Sequence, residues 1–222
     1  MNLESSDDGL QRPGRYAPRF GHDGRTAVFV AQDGSLVERV PQHTDPAMLQ
    51  FTLGAVECLA ALAAAGHALI LFSGRNNRPG DRLTRAKLMR LQDATRRRLL
   101  AEAGVEVLDF VACPHAPSAD GTPACLCRPP APGLLLRASR LHGLDLSRSW
   151  VVGDTLDDVL AGQRAGCHAV LLDHGNAAER RRHAPPLRRP FVRCIAWDEV
   201  VHLVLLESRR TAAPSRRWGE KT

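Results

Sequence analysis

The fold is decided by the stretch SWVVGDTLDDVLAGQRAG, residues 149–166, in which a short apolar run turns into a segment with helical spacing. The run at 150–153 is continuous and apolar, as in a strand that is buried on both faces. A helix is predicted at 156–165, with Asp154 between the two elements and Asp157 and Asp158 in the first turn of the helix. The stretch therefore predicts one strand–loop–helix unit of an α/β sheet.

The same alternation extends outward in both directions. Further strands are predicted at 26–30, 68–72, 105–113, 168–172 and 191–195, and further helices at 45–65, 83–103, 132–142 and 199–207. Strands that are continuous apolar runs and alternate with helices form a parallel sheet covered on both faces. The predicted fold class is therefore α/β, and a ligand should bind outside the carboxyl ends of the strands.

Polar residues mark three of those carboxyl ends. Asp33 follows the first strand, Ser73 follows the second, and Asp154 follows the strand at 150–153. Residues 114–133 form a loop rich in Pro, Gly and Cys in which no element is predicted. A loop of that length is usually functional.

Length, composition and charge narrow the alternatives. A chain of 222 residues that is 44% hydrophobic and 24% charged is typical of one globular domain. We predict a polar lead-in at 1–24, the domain at 25–208 and a basic tail at 209–222. The net charge of +6 is carried by residues 175–222. Its arginine clusters accompany no recognition motif, so we expect a solvated basic surface and no nucleic-acid partner.

The sequence also predicts where the protein works. No apolar leader precedes the domain, and polar residues interrupt the longest apolar stretch, 54–72, so we expect a cytoplasmic protein that binds no membrane. In a reducing compartment the six cysteines serve as metal ligands or buried thiols rather than disulfides. Cys58, Cys167 and Cys194 lie in predicted helices or strands and are expected to be core thiols.

Two motifs resemble the haloacid dehalogenase (HAD) superfamily of phosphatases. One is an apolar strand followed by Asp33-Gly34-Ser35, and the other is Val-Val-Gly-Asp-x-x-x-Asp at 151–158. The motifs Cys-Pro-His at 113–115, Cys-Leu-Cys-Arg at 125–128 and Pro-Gly at 132–133 are similar to the zinc-loop subgroup, which contains the heptose bisphosphate and histidinol-phosphate phosphatases. The resemblance covers residues 26–175. It implies a HAD-like Rossmannoid three-layer domain with a zinc-stapled loop at 113–127.

The resemblance implies a zinc site in that loop, with Cys113, His115, Cys125 and Cys127 as ligands. Three thiolates and one imidazole complete a closed tetrahedral site, which is typical of structural zinc. Metal binding would contribute folding free energy to a loop that has no secondary structure to order it.

Catalysis in the family uses two aspartates that stand two residues apart. The first attacks phosphorus and forms an aspartyl-phosphate, and the second is the acid and base. Magnesium is held by the first aspartate, by the backbone carbonyl of the second and by a downstream aspartate. The resemblance assigns the acid/base position to Asp33 and the downstream ligand to Asp154, with Asp158 behind it. It assigns phosphate binding to Ser73 and Arg128.

The chain departs from this pattern at the nucleophile. Ala31 occupies that position, and its methyl group can neither attack phosphorus nor bind a cation. The family's phosphate-binding lysine is also absent, because Pro129 stands in its place. We therefore expect weak magnesium binding through the carbonyl of Asp33 and the carboxylate of Asp154.

Three functional hypotheses remain open from the sequence. The first is a phosphatase-type pseudoenzyme of carbohydrate metabolism, impaired in hydrolysis but able to bind a small phosphorylated metabolite such as a sugar phosphate. The second is an active phosphatase that uses another route, such as direct attack by water assisted by Asp33. The third is a non-catalytic partner or regulatory protein. We expect a monomer in each case.

Overall fold

The computed structural model describes residues 24–38, 46–74, 85–115, 125–174 and 191–212. Its strands are β1 (Ala27–Ala31), β2 (Ala68–Ser73), β3 (Asp109–Ala112), β4 (Trp150–Gly153), β5 (His168–Leu172) and β6 (Val192–Cys194). Its helices are α1 (Ala55–Ala64), α2 (Arg85–Ala103), α3 (Gly133–His142), α4 (Leu156–Ala165) and α5 (Trp197–Ala212). Two short 3₁₀ turns, Pro46–Met48 and Leu146–Arg148, complete the described elements.

The six strands form one parallel sheet in the order β3-β2-β1-β4-β5-β6. β1 and β4 lie at the centre, where the chain changes direction across the sheet, and such a switch point is where open α/β sheets bind ligands. The α/β fold class predicted from the sequence is confirmed.

Helices cover both faces of the sheet, as the apolar strands require. Val28 and Val30 pack into a core with residues of α1, α2 and α5. The alternate side chains of β1, including Phe29, pack into a second core with residues of α3 and α4. The result is a three-layer domain in which each strand is buried from two sides.

The structure differs from the predicted helix at 45–65. The chain is not helical between the 3₁₀ turn and Ala55, because its backbone pairs with the segment after β1: Phe51 bridges to Val37, and the Thr52 amide donates to the Leu36 carbonyl at 2.9 Å. Gly54, with φ of +76°, then turns the chain into α1, a conformation that glycine adopts without steric cost.

Smaller differences affect two other segments. β3 begins at Asp109 rather than near 105, and α5 runs to Ala212, so residues 209–212 are helical. Most of the predicted lead-in and residues 213–222 of the predicted tail lie outside the described residues. No helix among the described residues is long and apolar enough to span a membrane.

Candidate active site and metal centre

The carboxyl ends of β1 and β2 bring two of the predicted site residues together. The Ser73 hydroxyl donates a hydrogen bond to Oδ2 of Asp33 at 2.9 Å. The backbone fixes this contact, because the Gln32 amide donates to the Phe72 carbonyl at 2.9 Å. Gly34, with φ of +87°, turns the chain immediately after Asp33, a conformation that favours glycine.

Ala31 is the last residue of β1 and is almost completely buried. Its side chain is 5% exposed and packs in the same apolar core as Phe29 and Phe72. The methyl group offers no lone pair and no charge to anything that binds at this edge of the sheet.

The end of β4 adds the buried carboxylate of Asp154, which is 4% exposed. Val30 pairs with Val152, so the chain beyond β1 and the chain beyond β4 leave the sheet side by side. Asp33 and Asp154 thus follow neighbouring strands at the same edge.

Asp158 serves as part of a helix cap. Thr155 donates its hydroxyl to Oδ2 of Asp158 at 2.6 Å, and the Asp158 amide donates to the Thr155 hydroxyl at 3.2 Å. This capping box satisfies amide groups at the start of α4. A Cβ atom on Gly153 would lie 2.2 Å from the Cβ of Asp158, so only glycine fits at the end of β4.

Arg128 and Pro129 lie against the end of β2. A Cβ atom on Gly74 would lie 2.5 Å from Cδ of Pro129 and 3.7 Å from Cγ of Arg128. The guanidinium of Arg128 donates to the His115 carbonyl at 2.9 Å. The segment that carries Arg128 therefore adjoins Ser73. Two arginines that follow Ser73 in the sequence, Arg75 and Arg78, lie outside the described residues.

One contact of this segment was not predicted from the sequence. Arg164 of α4 donates to the Pro130 carbonyl at 2.8 Å and so holds the segment from the opposite side. No local pattern distinguishes Arg164 from other arginines on helix surfaces, because the contact joins residues that are 34 positions apart.

The four predicted zinc ligands converge on one point, with their ligand atoms all within 4.8 Å of one another. The sulfur of Cys113 lies 3.5 Å from that of Cys125 and 3.2 Å from that of Cys127. Nδ1 of His115 lies 3.0 Å from the sulfur of Cys127. A tetrahedral site with zinc–sulfur bonds of about 2.3 Å separates its sulfurs by about 3.8 Å, so the cluster has the size and the donor atoms that zinc requires.

The thiols of this cluster influence one another. Burial acts to raise the pKa of Cys125, but hydrogen bonds with Cys127, the loop backbone and Cys113 lower it to about 7. Burial and the two neighbouring sulfurs raise the pKa of Cys127 to about 12. Without a cation, the three thiols do not all ionise at neutral pH, whereas a bound metal ion stabilises the thiolates.

The remaining cysteines are not members of this cluster. Cys167 and Cys194 are buried in the core, and burial raises their pKa values to about 12 and about 11. Burial, together with nearby carboxylates, likewise raises the pKa of the half-buried Cys58 to about 11. All three are free thiols of low reactivity, as the core-thiol hypothesis expects.

Comparisons with known proteins agree with this geometry. Residues 126–193 match the family model described as HAD-hydrolase-like. The chain is 36% identical over 120 residues to the D-glycero-beta-D-manno-heptose-1,7-bisphosphate 7-phosphatase of Pseudomonas aeruginosa, covering 54% of this chain and 65% of that one. It is 31% identical over 180 residues to the Helicobacter pylori J99 enzyme of the same name, covering 79% of this chain and 94% of that one.

A solved structure shows the same relationship. The D,D-heptose 1,7-bisphosphate phosphatase of B. bronchiseptica, complexed with magnesium and phosphate, superposes with a TM-score of 0.68 at 26% identity. The match covers 82% of this chain and 99% of that one. Fold and sequence thus point to the same group of proteins.

Proposed function

The chain belongs to the heptose bisphosphate phosphatase family of HAD-like hydrolases, and from that premise we propose that it binds a phosphorylated sugar at the carboxyl edge of its sheet and hydrolyses it extremely slowly or not at all. The observation that carries this proposal is the presence of alanine at position 31. It occupies the end of the central strand β1, where the family resemblance requires an attacking carboxylate, and it is an apolar residue in an apolar core.

Direct attack on phosphorus needs a nucleophile in line with the leaving oxygen, and the methyl of Ala31 provides none. Asp33 follows Ala31 by two residues, and its carboxylate accepts a hydrogen bond from the Ser73 hydroxyl. We assign it the proton-holding and proton-donating role that the family resemblance gives to this position, and not the covalent one.

Phosphate binding has separate support. Ser73 offers a hydroxyl at the end of β2, and the Arg128 side chain starts beside the same strand end, with its Cγ 3.7 Å from the position of a Cβ on Gly74. A hydroxyl and a guanidinium are groups that recognise phosphoryl oxygens. These groups can orient a phosphate monoester even though the attacking group is absent.

Zinc fits the cluster of Cys113, His115, Cys125 and Cys127, because it brings together four soft or borderline ligand atoms that lie within 4.8 Å of one another. Such a closed site uses all four positions for protein ligands, so zinc would order the loop and bind no substrate. Because Arg128 donates a hydrogen bond to the His115 carbonyl, a zinc ion that fixes His115 would also help to fix the Arg128 side chain.

Magnesium fits poorly. The carboxyl edge offers the carboxylate of Asp154 and the carbonyl of Asp33, whereas Ala31 contributes no oxygen and Asp158 is engaged in the cap of α4. A hard cation depends on charged oxygen ligands. We therefore assign magnesium no part in the proposed function.

Calorimetric titration with D-glycero-D-manno-heptose 1,7-bisphosphate tests the binding half of the proposal. We expect saturable binding to the wild type, weakened about tenfold by Ser73→Ala and by Arg128→Gln, since each removes a hydrogen bond to a charged group. Arg209→Gln on α5 is the matched control and should bind as the wild type does. Absence of binding would overturn the proposal and favour a role as a regulatory partner. Equal binding by all variants would overturn the assignment of Ser73 and Arg128 to the phosphate site.

A further inference from the structure

A groove of about 590 Å³ lies along the exposed side of α3. Its apolar surface is formed by Leu126 of the metal loop and by Leu136 and Leu141 of α3, and Arg137 and Arg140 also line it. We call it the α3 groove. Leu126 is 85% exposed and Leu141 is 65% exposed, which is costly for large apolar side chains unless another surface covers them.

The charge of the α3 groove restricts what can cover it. Arg137 and Arg140 are both exposed, and neither forms an ion pair within the described part of the chain. A two-fold dimer through this surface would bring the arginines of both copies together, which disfavours a second copy. An occupant should instead combine apolar side chains with carboxylates.

The chain itself contains such a segment. Residues 3–10, Leu-Glu-Ser-Ser-Asp-Asp-Gly-Leu, place a leucine at each end of a stretch with three carboxylates and no lysine or arginine. Their composition complements the leucines and the arginines of the α3 groove.

The point at which the chain enters the domain puts this segment within reach. Arg25 bridges to Leu144, and the Asp145 amide donates to the Arg25 carbonyl at 3.0 Å. Gly24, the first described residue, therefore lies near the segment that follows the end of α3. Residues 11–23 span up to about 40 Å when extended, whereas α3, at ten residues, is about 15 Å long.

We propose that residues 3–10 bind the α3 groove of their own chain, with leucine side chains on its apolar floor and carboxylates beside Arg137 and Arg140. A tether of this length gives an effective concentration in the millimolar range, so the contact needs little intrinsic affinity. Occupancy would cover Leu126, which lies between two of the zinc-loop cysteines.

Photo-crosslinking in the full chain tests this proposal. With Leu10→p-benzoylphenylalanine, we expect an intramolecular crosslink that mass spectrometry locates in residues 126–141 and whose yield does not depend on protein concentration. Reversing both charges with Arg137→Glu and Arg140→Glu should lower that yield by on the order of tenfold, because two attractive pairs become repulsive. Added salt should also lower it.

Arg90→Glu is the matched control, because it reverses an exposed arginine on α2, a helix that packs on the other face of the sheet. It should leave the yield unchanged. Circular dichroism melting checks that each variant is folded. A second variant, Glu4→Lys with Asp7→Lys and Asp8→Lys, reverses the charges of the segment instead of the groove and should also lower the crosslink yield.

Three results would overturn the proposal. The first is crosslinks that fall outside residues 126–141, or none at all. The second is crosslinked dimers whose yield rises with concentration, which would make a second copy the occupant. The third is a yield that neither charge reversal affects. None of these results depends on whether the protein binds or hydrolyses a sugar phosphate.

Discussion

The proposed loss of hydrolysis depends first on one side chain, the methyl group of Ala31. Ala31 keeps the fold intact, because a small apolar side chain suits the buried end of β1, but it removes both a nucleophile and a cation ligand. Asp33 keeps its place beside Ser73, at 2.9 Å. For single residues, our proposal is therefore that the site has kept groups that can bind phosphate and lost the group that would attack it.

Magnesium affinity follows directly from that loss. We expect calorimetric titration of the wild type with Mg²⁺ alone to show weak or undetectable binding, and Ala31→Asp to strengthen it, since the added carboxylate supplies the missing charged ligand. Ala31→Asn is the matched control, as it adds an oxygen without a charge. Tight magnesium binding by the wild type would contradict this assignment of ligands.

The cap of α4 gives a second prediction at this scale. Thr155→Ala should lower the free energy of unfolding by about 1 kcal/mol, because it removes the hydroxyl that accepts from the Asp158 amide. Thr155→Ser keeps a hydroxyl and should lose much less. Denaturant unfolding measures both, and equal losses would show that the hydroxyl contributes little.

Among the elements, the metal site depends on two described segments, 113–115 and 125–127, that contain no helix or strand, and we expect its four ligands to hold these segments together. We expect elemental analysis of the wild type, purified without added metal, to find about one zinc per chain. Cys125→Ser should lose the zinc and lower the melting temperature, because metal affinity contributes to folding.

Cys58→Ser is the control for this experiment, as Cys58 is a half-buried thiol outside the cluster. It should retain the zinc. A wild type that is fully folded without metal, or a Cys125→Ser variant that melts as the wild type does, would show that the loop needs no zinc.

The sequence predicted individual elements well where the signal is local. α4 and β5 have the predicted bounds. A buried strand is a continuous apolar run, and a helix that packs on the sheet has apolar residues repeated at helical spacing, so both can be read from the local sequence. The helix predicted at 45–65 was wrong over its first half, because the pairing of Phe51 with Val37 is set by tertiary contacts. For the same reason, the contact of Pro129 with Gly74 and the hydrogen bond of Arg164 could not be predicted.

At the scale of the whole molecule, α5 is tied to the sheet through polar contacts in addition to its apolar face. Nδ1 of His67 lies 2.9 Å from the Thr26 hydroxyl, and Nε2 lies 3.2 Å from the Ser208 hydroxyl of α5. Trp197, at the other end of α5, donates to the Ser35 carbonyl at 3.0 Å. These contacts connect α5 with the segments before β1 and β2 and after β1.

This arrangement predicts a dependence of stability on pH. Burial lowers the pKa of His67 below its ordinary value of 6.5, so the unfolded chain binds a proton more readily than the folded chain does. The contribution of neutral His67 is present above about pH 6.5 and is lost as the pH falls toward the folded pKa. Unfolding of His67→Gln, measured from pH 7.5 to 5, should depend less on pH than that of the wild type. An identical dependence would contradict the assignment.

We claim that Ala31 abolishes ordinary hydrolysis, and phosphate release from D-glycero-D-manno-heptose 1,7-bisphosphate in magnesium buffer is the direct test of this claim. We predict no turnover by the wild type above the buffer rate, a measurable rate for Ala31→Asp, and a higher rate when Pro129→Lys is added, because a positioned cation can contribute about 10²–10³ in rate. Turnover by the wild type at an ordinary enzymatic rate, abolished by Asp33→Asn, would contradict the claim and establish attack by water instead.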